Sequence, residues 1–272
     1  MRQHIRIEAT DKQLSALGGL EFFSKAFDQL VGGLARTRQF LPTNKIATKC
    51  SPLQKFKAMT LGLVAGAECL DDWDRLKEDS GFVAVNGDAM NAARTYHDFL
   101  QQFTPAMTRA MNLTLIDTAM ELHKATAKDH YFVLSADSTD NEQHGLKMEG
   151  LAYNYKNTWG LDTLMAFDQY GFLCWHEVRP GNTFTSNGSP ELIREVFKRV
   201  PRDKFRYFLG DSGFCNASVF SACADQRADF VIACRANMYG RFLPLVKHWK
   251  YSKRIKSHDG RSVEIGNTIY FG

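Results

Sequence analysis

Apolar residues recur at three- and four-residue intervals through the first part of the chain. The clearest segments are LGGLEFFSKAFDQLVGGLA, DAMNAARTYHDFLQQF and TPAMTRAMNLTLIDTAMELHKATA. This spacing places apolar side chains on one face of a helix. SPLQKFKAMTLGLVAG adds a clear helix start, because Ser51 suits the N-cap and Pro52 suits the first helical position. The pattern predicts a helical region over residues 1–128.

From Tyr131 onward the pattern changes to short apolar runs separated by polar turns. Five runs predict strands: YFVLSAD, LDTLMAF, FLCWHEV, FRYFLGD and DFVIACRA. SPELIREVFKRV and NASVFSACADQRA predict the helices between the later strands. The order β-β-β-α-β-α-β predicts an α/β fold with a mixed sheet. The first three strands form an antiparallel meander, and helical crossovers add parallel strands to it.

Composition places few limits on function. The 272 residues are 44% hydrophobic and 24% charged, and the net charge of +4 permits an anionic partner without requiring one. The first residues lack an apolar signal-peptide core, and the longest apolar stretch, AMTLGLVAGA, is about half a membrane span. We therefore expect a cytoplasmic protein without a membrane partner. The six cysteines form no C-x-x-C pair, which favours reduced thiols over a disulfide framework or a zinc site.

Two carboxylates follow apolar runs at equivalent places. Asp137 ends YFVLSAD, and Asp211 ends FRYFLGD. If these two strands are parallel neighbours, the acids meet at one edge of the sheet, where open α/β sheets carry their chemistry. A cation between them would relieve their repulsion, and oxygen ligands suit Mg²⁺ or Mn²⁺. The alternative for each Asp alone is a turn former or a helix cap.

Four motifs in this half of the chain resemble those of the DDE transposases of bacterial insertion sequences. They are ADSTDNEQHG, GLAYNY, VRPGN and GDSGF, and GLVAGAECLDDWDRLKEDSGF resembles the segment before the catalytic domain. The similarity is to the group whose core has a β-rich insertion before its final acid. It implies an RNase-H-like core in which Asp137 and Asp211 are catalytic acids and ligands of Mg²⁺ or Mn²⁺.

The chain departs from this family at its third acid, a Glu on a helix after a Tyr and an Arg. Tyr251 and Arg254 have the expected spacing, but His258 stands in the position of the Glu. Glu264 lies in the strand-like stretch SVEIGNTIY. We therefore expect a C-terminally truncated copy that lacks the third acid. A smaller departure is Leu209-Gly210, where some relatives have Arg-Ala.

Basic residues after residue 130 are candidates for DNA binding. Residues 241–258 contain six Lys or Arg and no acid, which indicates DNA contact in a transposase-like protein and a solvated face otherwise. Lys147 and Lys156 lie near Tyr153, Tyr155 and Trp159, which suits nucleic acid or an exposed hairpin equally. The predicted DNA-binding residues are Lys147, Lys156, Arg179, Lys250, Lys253, Arg254 and Lys256.

The domain organisation follows from these segments. Residues 1–128 form a helical region that contacts DNA ends, 129–240 the first part of the catalytic core, and 241–272 the start of a basic β-region. The expected function is metal-dependent cleavage and strand transfer of insertion-sequence DNA by a homodimer near the bacterial nucleoid. The alternative is a non-catalytic DNA-binding remnant that regulates a full-length transposase. A phosphatase is disfavoured, because it requires D-x-D after the strand and this chain has D-x-x-D.

Overall fold

A computed structural model describes residues 15–30, 36–43, 50–86, 91–145, 147–154, 156–256 and 262–266. The chain divides into two compact units, residues 1–118 and 119–272. No helix among the described residues is long and apolar enough to cross a membrane.

The first unit is helical, as its periodicity predicts. Its helices, the last of which continues into the second unit, are α1 (Leu20–Leu30), α2 (Pro52–Val64), α3 (Asp72–Leu76), α4 (Ser80–Asn86), α5 (Ala93–Leu100) and α6 (Pro105–Thr126). Ser51 caps α2 by accepting a hydrogen bond from the backbone N–H of Gln54, whose side chain accepts from the backbone N–H of Ser51. This reciprocal capping box fixes where α2 begins.

Trp73 of α3 lies at the centre of the helical core. It is 3% exposed, and its indole N–H donates to the carbonyl of Ala58 at 3.2 Å. A Cβ at Gly62 would lie 2.5 Å from the indole ring, so this position of α2 requires glycine for close packing. α2 and α3 therefore pack closely against each other at this aromatic side chain.

The second unit contains a mixed sheet. Its strands are β1 (Tyr131–Glu142), β2 (Ala152–Tyr153), β3 (Trp159–Asp168), β4 (Leu173–Pro180), β5 (Phe205–Gly210) and β6 (Asp229–Ile232), and its helices include α7 (Ser189–Phe197) and α8 (Ala217–Asp225). Antiparallel pairs join β1 to β3 and β3 to β4. Parallel pairs join β1 to β5 and β5 to β6. Apart from the two-residue β2, this confirms the predicted β-β-β-α-β-α-β order and the mixed sheet.

One face of the central strands packs into the core. Phe132 and Leu134 of β1 and Phe208 of β5 are fully buried. Phe132 also contacts Phe197 of α7, with ring centroids 6.2 Å apart. Asn216 caps α8 by accepting from the N–H of Ser218 at 3.0 Å, as predicted. The alternation of buried and exposed residues along β1 leaves its other face accessible.

β1 is longer than the sequence predicts. The expectation that this strand ends at Asp137 is wrong, because pairing with β3 continues from Asp137 opposite Met165 to Glu142 opposite Gly160. The polar residues after Asp137 therefore belong to a paired strand and not to a loop.

The remaining elements are α9 (Ala236–Phe242), β7 (Trp249–Lys256) and β8 (Ser262–Gly266). The last two form a separate antiparallel pair, with Tyr251 opposite Glu264. This agrees with the strand-like reading of Glu264. His258 and Asp259 lie outside the described residues.

Candidate active site

Asp137 and Asp211 occupy equivalent positions on neighbouring parallel strands. The paired residues of β1 and β5 differ by a constant offset, which ends with Ser135 opposite Leu209. Asp137 and Asp211 each lie two residues beyond that last pair. The two acids are therefore level with each other, at the point where β5 ends and β1 continues.

Both acids also project from the same face. Leu134 and Phe208 form one pair of the ladder, and both are buried in the core. Side chains alternate along a strand, so Asp137, three residues after Leu134, points away from that core. The same count places Asp211 three residues after Phe208, and both acids are exposed. One face of the sheet edge thus presents two carboxylates.

Each carboxylate has one oxygen engaged by a local backbone N–H. Oδ1 of Asp137 accepts from the N–H of Ser138 at 2.8 Å. Oδ1 of Asp211 accepts from the N–H of Gly213 at 2.8 Å and caps the short 3₁₀ helix Ser212–Phe214. Among the described residues, neither Oδ2 accepts a hydrogen bond. Asp211 is therefore both a cap and an available ligand.

Close packing fixes the turn that carries Asp211. A Cβ at Gly210 would lie 2.8 Å from the Phe214 ring, so this position is packed too closely for a larger residue. A Cβ at Gly213 would lie 2.9 Å from the Thr185 side chain. These two glycines let the turn approach Phe214 and Thr185 closely.

Arg235 holds the same turn from the end of β6. Its Nε donates to the carbonyl of Ser212 at 3.0 Å, and its Nη2 donates to the carbonyl of Gly213 at 3.3 Å. The guanidinium also lies over the Phe184 ring, 4.9 Å from its centroid. Sequence reasoning missed this positioning residue. The available signal was a single Arg near the end of the predicted strand DFVIACRA.

Asp140 lies on the opposite face of β1 from Asp137, because the two residues are three positions apart on the strand. It is paired across the sheet with Asp162, and its Oδ2 contacts Nζ of Lys156 at 2.7 Å. Both acids line a cavity of about 330 Å³ beside Thr185. The ladder therefore separates Asp140 from the two exposed carboxylates.

Arg179, a predicted phosphate contact, is buried in the protein. Its Nε donates to Oδ1 of Asp162 at 2.6 Å, and its Nη2 contacts the same oxygen. Nη1 donates to the carbonyl oxygens of Asn187 and Thr185. Burial raises the pKa of Asp162, against the lowering effect of Arg179. The guanidinium is thus committed to the protein, and this geometry favours a structural role over a DNA contact.

The other predicted DNA-binding residues have varied surroundings. Lys147 and Lys250 are exposed, and Lys156 is exposed although it is paired with Asp140. Beside Lys156, the rings of Tyr153 and Trp159 form an edge-to-face contact with centroids 5.6 Å apart, and both remain about half exposed. Lys253, Arg254 and Lys256 lie further along β7, where only the backbone is described.

The chemistry of the donors at the sheet edge suits a hard divalent cation. Asp137 and Asp211 offer carboxylate oxygens, which are the ligands preferred by Mg²⁺ and Mn²⁺. Within the described residues, no group of three or more His, Cys, Asp or Glu side chains is arranged to hold a metal ion. The cysteines form no such site either, since the six thiols are free and four of them are buried.

Comparison with known proteins identifies one family. The family described as Transposase DDE domain group 1 matches residues 1–268. No curated protein matches the chain.

Solved structures show weak similarity. The catalytic domain of the Mos1 mariner transposase has 13% identity and a TM-score of 0.30, and the match covers 55% of this chain and 74% of that one. The same domain with Raltegravir and Mn has 13% identity and a TM-score of 0.29, over 54% and 74%. A simian T-cell lymphotropic virus intasome with the PP2A regulatory subunit B56 gamma has 13% identity and a TM-score of 0.27, over 53% and 49%.

Proposed function

The chain belongs to the transposase DDE domain family, group 1, and on that premise we propose that Asp137 and Asp211 are two of its catalytic acids. The observation that carries this proposal is their level position on adjacent parallel strands, with both side chains on the exposed face. The reaction is phosphoryl transfer on insertion-sequence DNA, and its cofactor is Mg²⁺ or Mn²⁺.

Each of the two acids is held in position for binding a cation. Asp137 is fixed by the β1–β3 ladder, and Asp211 is fixed by the turn that Arg235 clamps. Their unpaired Oδ2 atoms supply the hard oxygen ligands. A divalent cation, when bound, lowers the pKa of its water and stabilises charge on phosphate oxygens. The residues of this chain contribute by positioning and by charge compensation.

DNA is the proposed partner, bound by a homodimer in the bacterial cytoplasm at the nucleoid. Exposed Lys147 and Lys250, together with the basic segment 241–258, supply charges for the phosphate backbone. Arg179 is not included in this surface, because its donors are satisfied inside the protein.

Calorimetric titration with Mn²⁺ tests the site. We expect the wild-type chain to bind the ion, and Asp137→Asn and Asp211→Asn each to weaken that binding at least tenfold, because each removes a charged ligand. Asp140→Asn is the matched control, since Asp140 lies on the same strand and the opposite face. Equal loss in all three variants, or no loss in the first two, would overturn the assignment.

A non-catalytic, regulatory role is the second candidate. The observation that favours it is the number of acids, because the described residues bring two carboxylates to this face and the family resemblance implies three. Such a protein would bind transposon ends, or pair with a full-length relative, without cutting DNA. A cleavage assay beside a binding assay distinguishes the two candidates. Binding without cleavage supports the regulatory role, and metal-dependent cleavage supports the enzyme.

A further inference from the structure

A second basic feature lies at the opposite end of the sheet from the two acids. It is a cleft of about 570 Å³ where β5 and β6 begin and α7 and α8 end. We call it the basic cleft. Its charged lining consists of Lys198, Arg202, Lys204, Arg206, Arg227, Asp225 and Asp229. Five cations against two acids make this lining strongly positive.

Two of the five cations are occupied by the protein itself. Arg206 donates through Nη1 to the carbonyl of Gln226 at 3.2 Å and through Nη2 to the carbonyl of Val200 at 3.1 Å. Lys204 donates to the carbonyl of Asp129 at 2.7 Å. The Arg206 bonds satisfy carbonyls just after α7 and α8, and the Lys204 bond satisfies a carbonyl just before β1. Arg206 and Lys204 are therefore engaged by the protein itself.

The other three cations are not engaged in this way. In the part of the chain that the structure describes, the side chains of Lys198, Arg202 and Arg227 form no hydrogen bond or ion pair, and all three are exposed. Of the two acids, Asp225 is already paired with Arg194 at 2.9 Å. Three unneutralised cations around one cleft are suited to an anion with several oxygens, such as a phosphodiester.

The position of the cleft separates it from the carboxylates. β5 runs from Phe205 at the cleft to Gly210 beside Asp211. At about 3.3 Å per residue, its six residues span roughly 20 Å. A phosphate held in the cleft is therefore not the phosphate that reacts at Asp137 and Asp211.

We propose that the basic cleft is a second DNA-backbone site, which holds a phosphodiester remote from the cleavage point. The proposal rests on the proposed DNA-binding function and adds a surface to it. At the base-pair rise of about 3.4 Å, a separation of roughly 20 Å corresponds to about six base pairs. A duplex must therefore extend at least about six base pairs from the reacting phosphate to reach the cleft.

The test is the salt dependence of DNA binding, measured in EDTA so that no metal is needed. The test variant is Lys198→Gln/Arg202→Gln/Arg227→Gln. The control is Arg199→Gln, which removes a cation of the same unit that lies outside the cleft lining and is paired with Glu195 at 2.8 Å. Both are titrated with a duplex of about 30 base pairs between about 50 and 200 mM salt.

We expect the test variant to lose two to three units from the slope of log K against log salt, since each phosphate contact contributes about 0.9. We also expect at least tenfold weaker binding than in the control. A slope and an affinity equal to those of the control would overturn the proposal.

Two further measurements keep the result decisive. If the triple variant melts below the wild type, Arg202→Gln alone, in an exposed turn, is expected to lower the slope by about one unit. The Mn²⁺ titration is run on the same preparations. If the wild-type chain does not bind Mn²⁺, the proposed catalytic site is wrong and the basic cleft is not affected. If the triple variant keeps the salt slope of the wild type, the basic cleft is wrong and the catalytic site is not affected.

Discussion

Arg179 and Asp162 form a buried ion pair that joins β3 to β4. Nε of Arg179 donates to Oδ1 of Asp162 at 2.6 Å, and the two residues are 5% and 4% exposed. The guanidinium also reaches the loop before α7 through the carbonyls of Thr185 and Asn187. Thr185 in turn contacts Ser138 on β1, with 3.3 Å between their hydroxyl oxygens. The pair therefore supports the loop that packs against the Asp211 turn.

Arg179→Leu is expected to destabilise the protein by about 3–5 kcal/mol, because it leaves a buried carboxylate uncompensated. Urea unfolding measures this cost. The double variant Arg179→Leu/Asp162→Leu removes both charges and is expected to recover most of the loss. A single variant within about 1 kcal/mol of the wild type would instead mean that Asp162 is protonated or hydrated.

Gly210→Ala is expected to destabilise the Asp211 turn. The added methyl group would lie 2.8 Å from the Phe214 ring, and overpacking of this kind costs about 1–3 kcal/mol. Thermal melting measures the stability, and Mn²⁺ titration measures the effect on the site. Gly240→Ala, in α9 with open space around the glycine, is the control for a tolerated change. Unchanged Mn²⁺ affinity in Gly210→Ala would show that the turn does not position Asp211.

DNA binding by the chain is expected to be sensitive to salt and tolerant of sequence. Phosphate contacts release counterions, so affinity falls steeply as salt is added. Neutralising four cations of β7 is expected to weaken DNA binding and to lower the slope of log K against log salt by up to about 3.6. These residues are Lys250, Lys253, Arg254 and Lys256. Unchanged affinity in that variant would exclude the basic segment as a contact.

Asp137 and Asp211 by themselves are expected to support only negligible cutting of DNA with Mg²⁺, so the 272 residues are expected to bind DNA and cut it little unless another acid completes the site. Two carboxylates can hold one ion, whereas a second ion would rely on water and DNA oxygens, and Mg²⁺ demands near-ideal octahedral geometry. Because positioning supplies most of the catalysis, a missing ligand costs orders of magnitude in rate. A nicked-plasmid assay measures this directly. Strong nicking that is abolished by Asp137→Asn and Asp211→Asn would mean that another acid, such as Glu264, completes the site.

Local patterns in the sequence placed each acid at the end of an apolar run that predicts a strand. That the acids meet depended on the condition that these strands are parallel neighbours, and the β1–β5 ladder meets that condition. The continuation of β1 was missed, because the polar residues after Asp137 have no apolar alternation and resemble a loop. Only the structure shows that these residues pair with β3.

Arg179 shows a different limit of sequence reasoning. The residues after it, Pro180, Gly181 and Asn182, have the character of a turn. A basic residue beside a turn suggests an exposed phosphate contact. Its partner Asp162 is 17 positions away, on the neighbouring strand. No local pattern reports that such a pair is buried, so the structural role of Arg179 could not be predicted.

The two acids differ in how firmly the backbone holds them. Asp137 lies inside a strand with pairs of the β1–β3 ladder on both sides, so moving it requires breaking that ladder. Asp211 lies at the end of β5, on a turn held by a few contacts from Phe214, Thr185 and Arg235. Strain from bound DNA would therefore be taken up at Asp211. Evolutionary adjustment of the distance between the acids is then expected to alter the residues around this turn and to leave β1 unchanged.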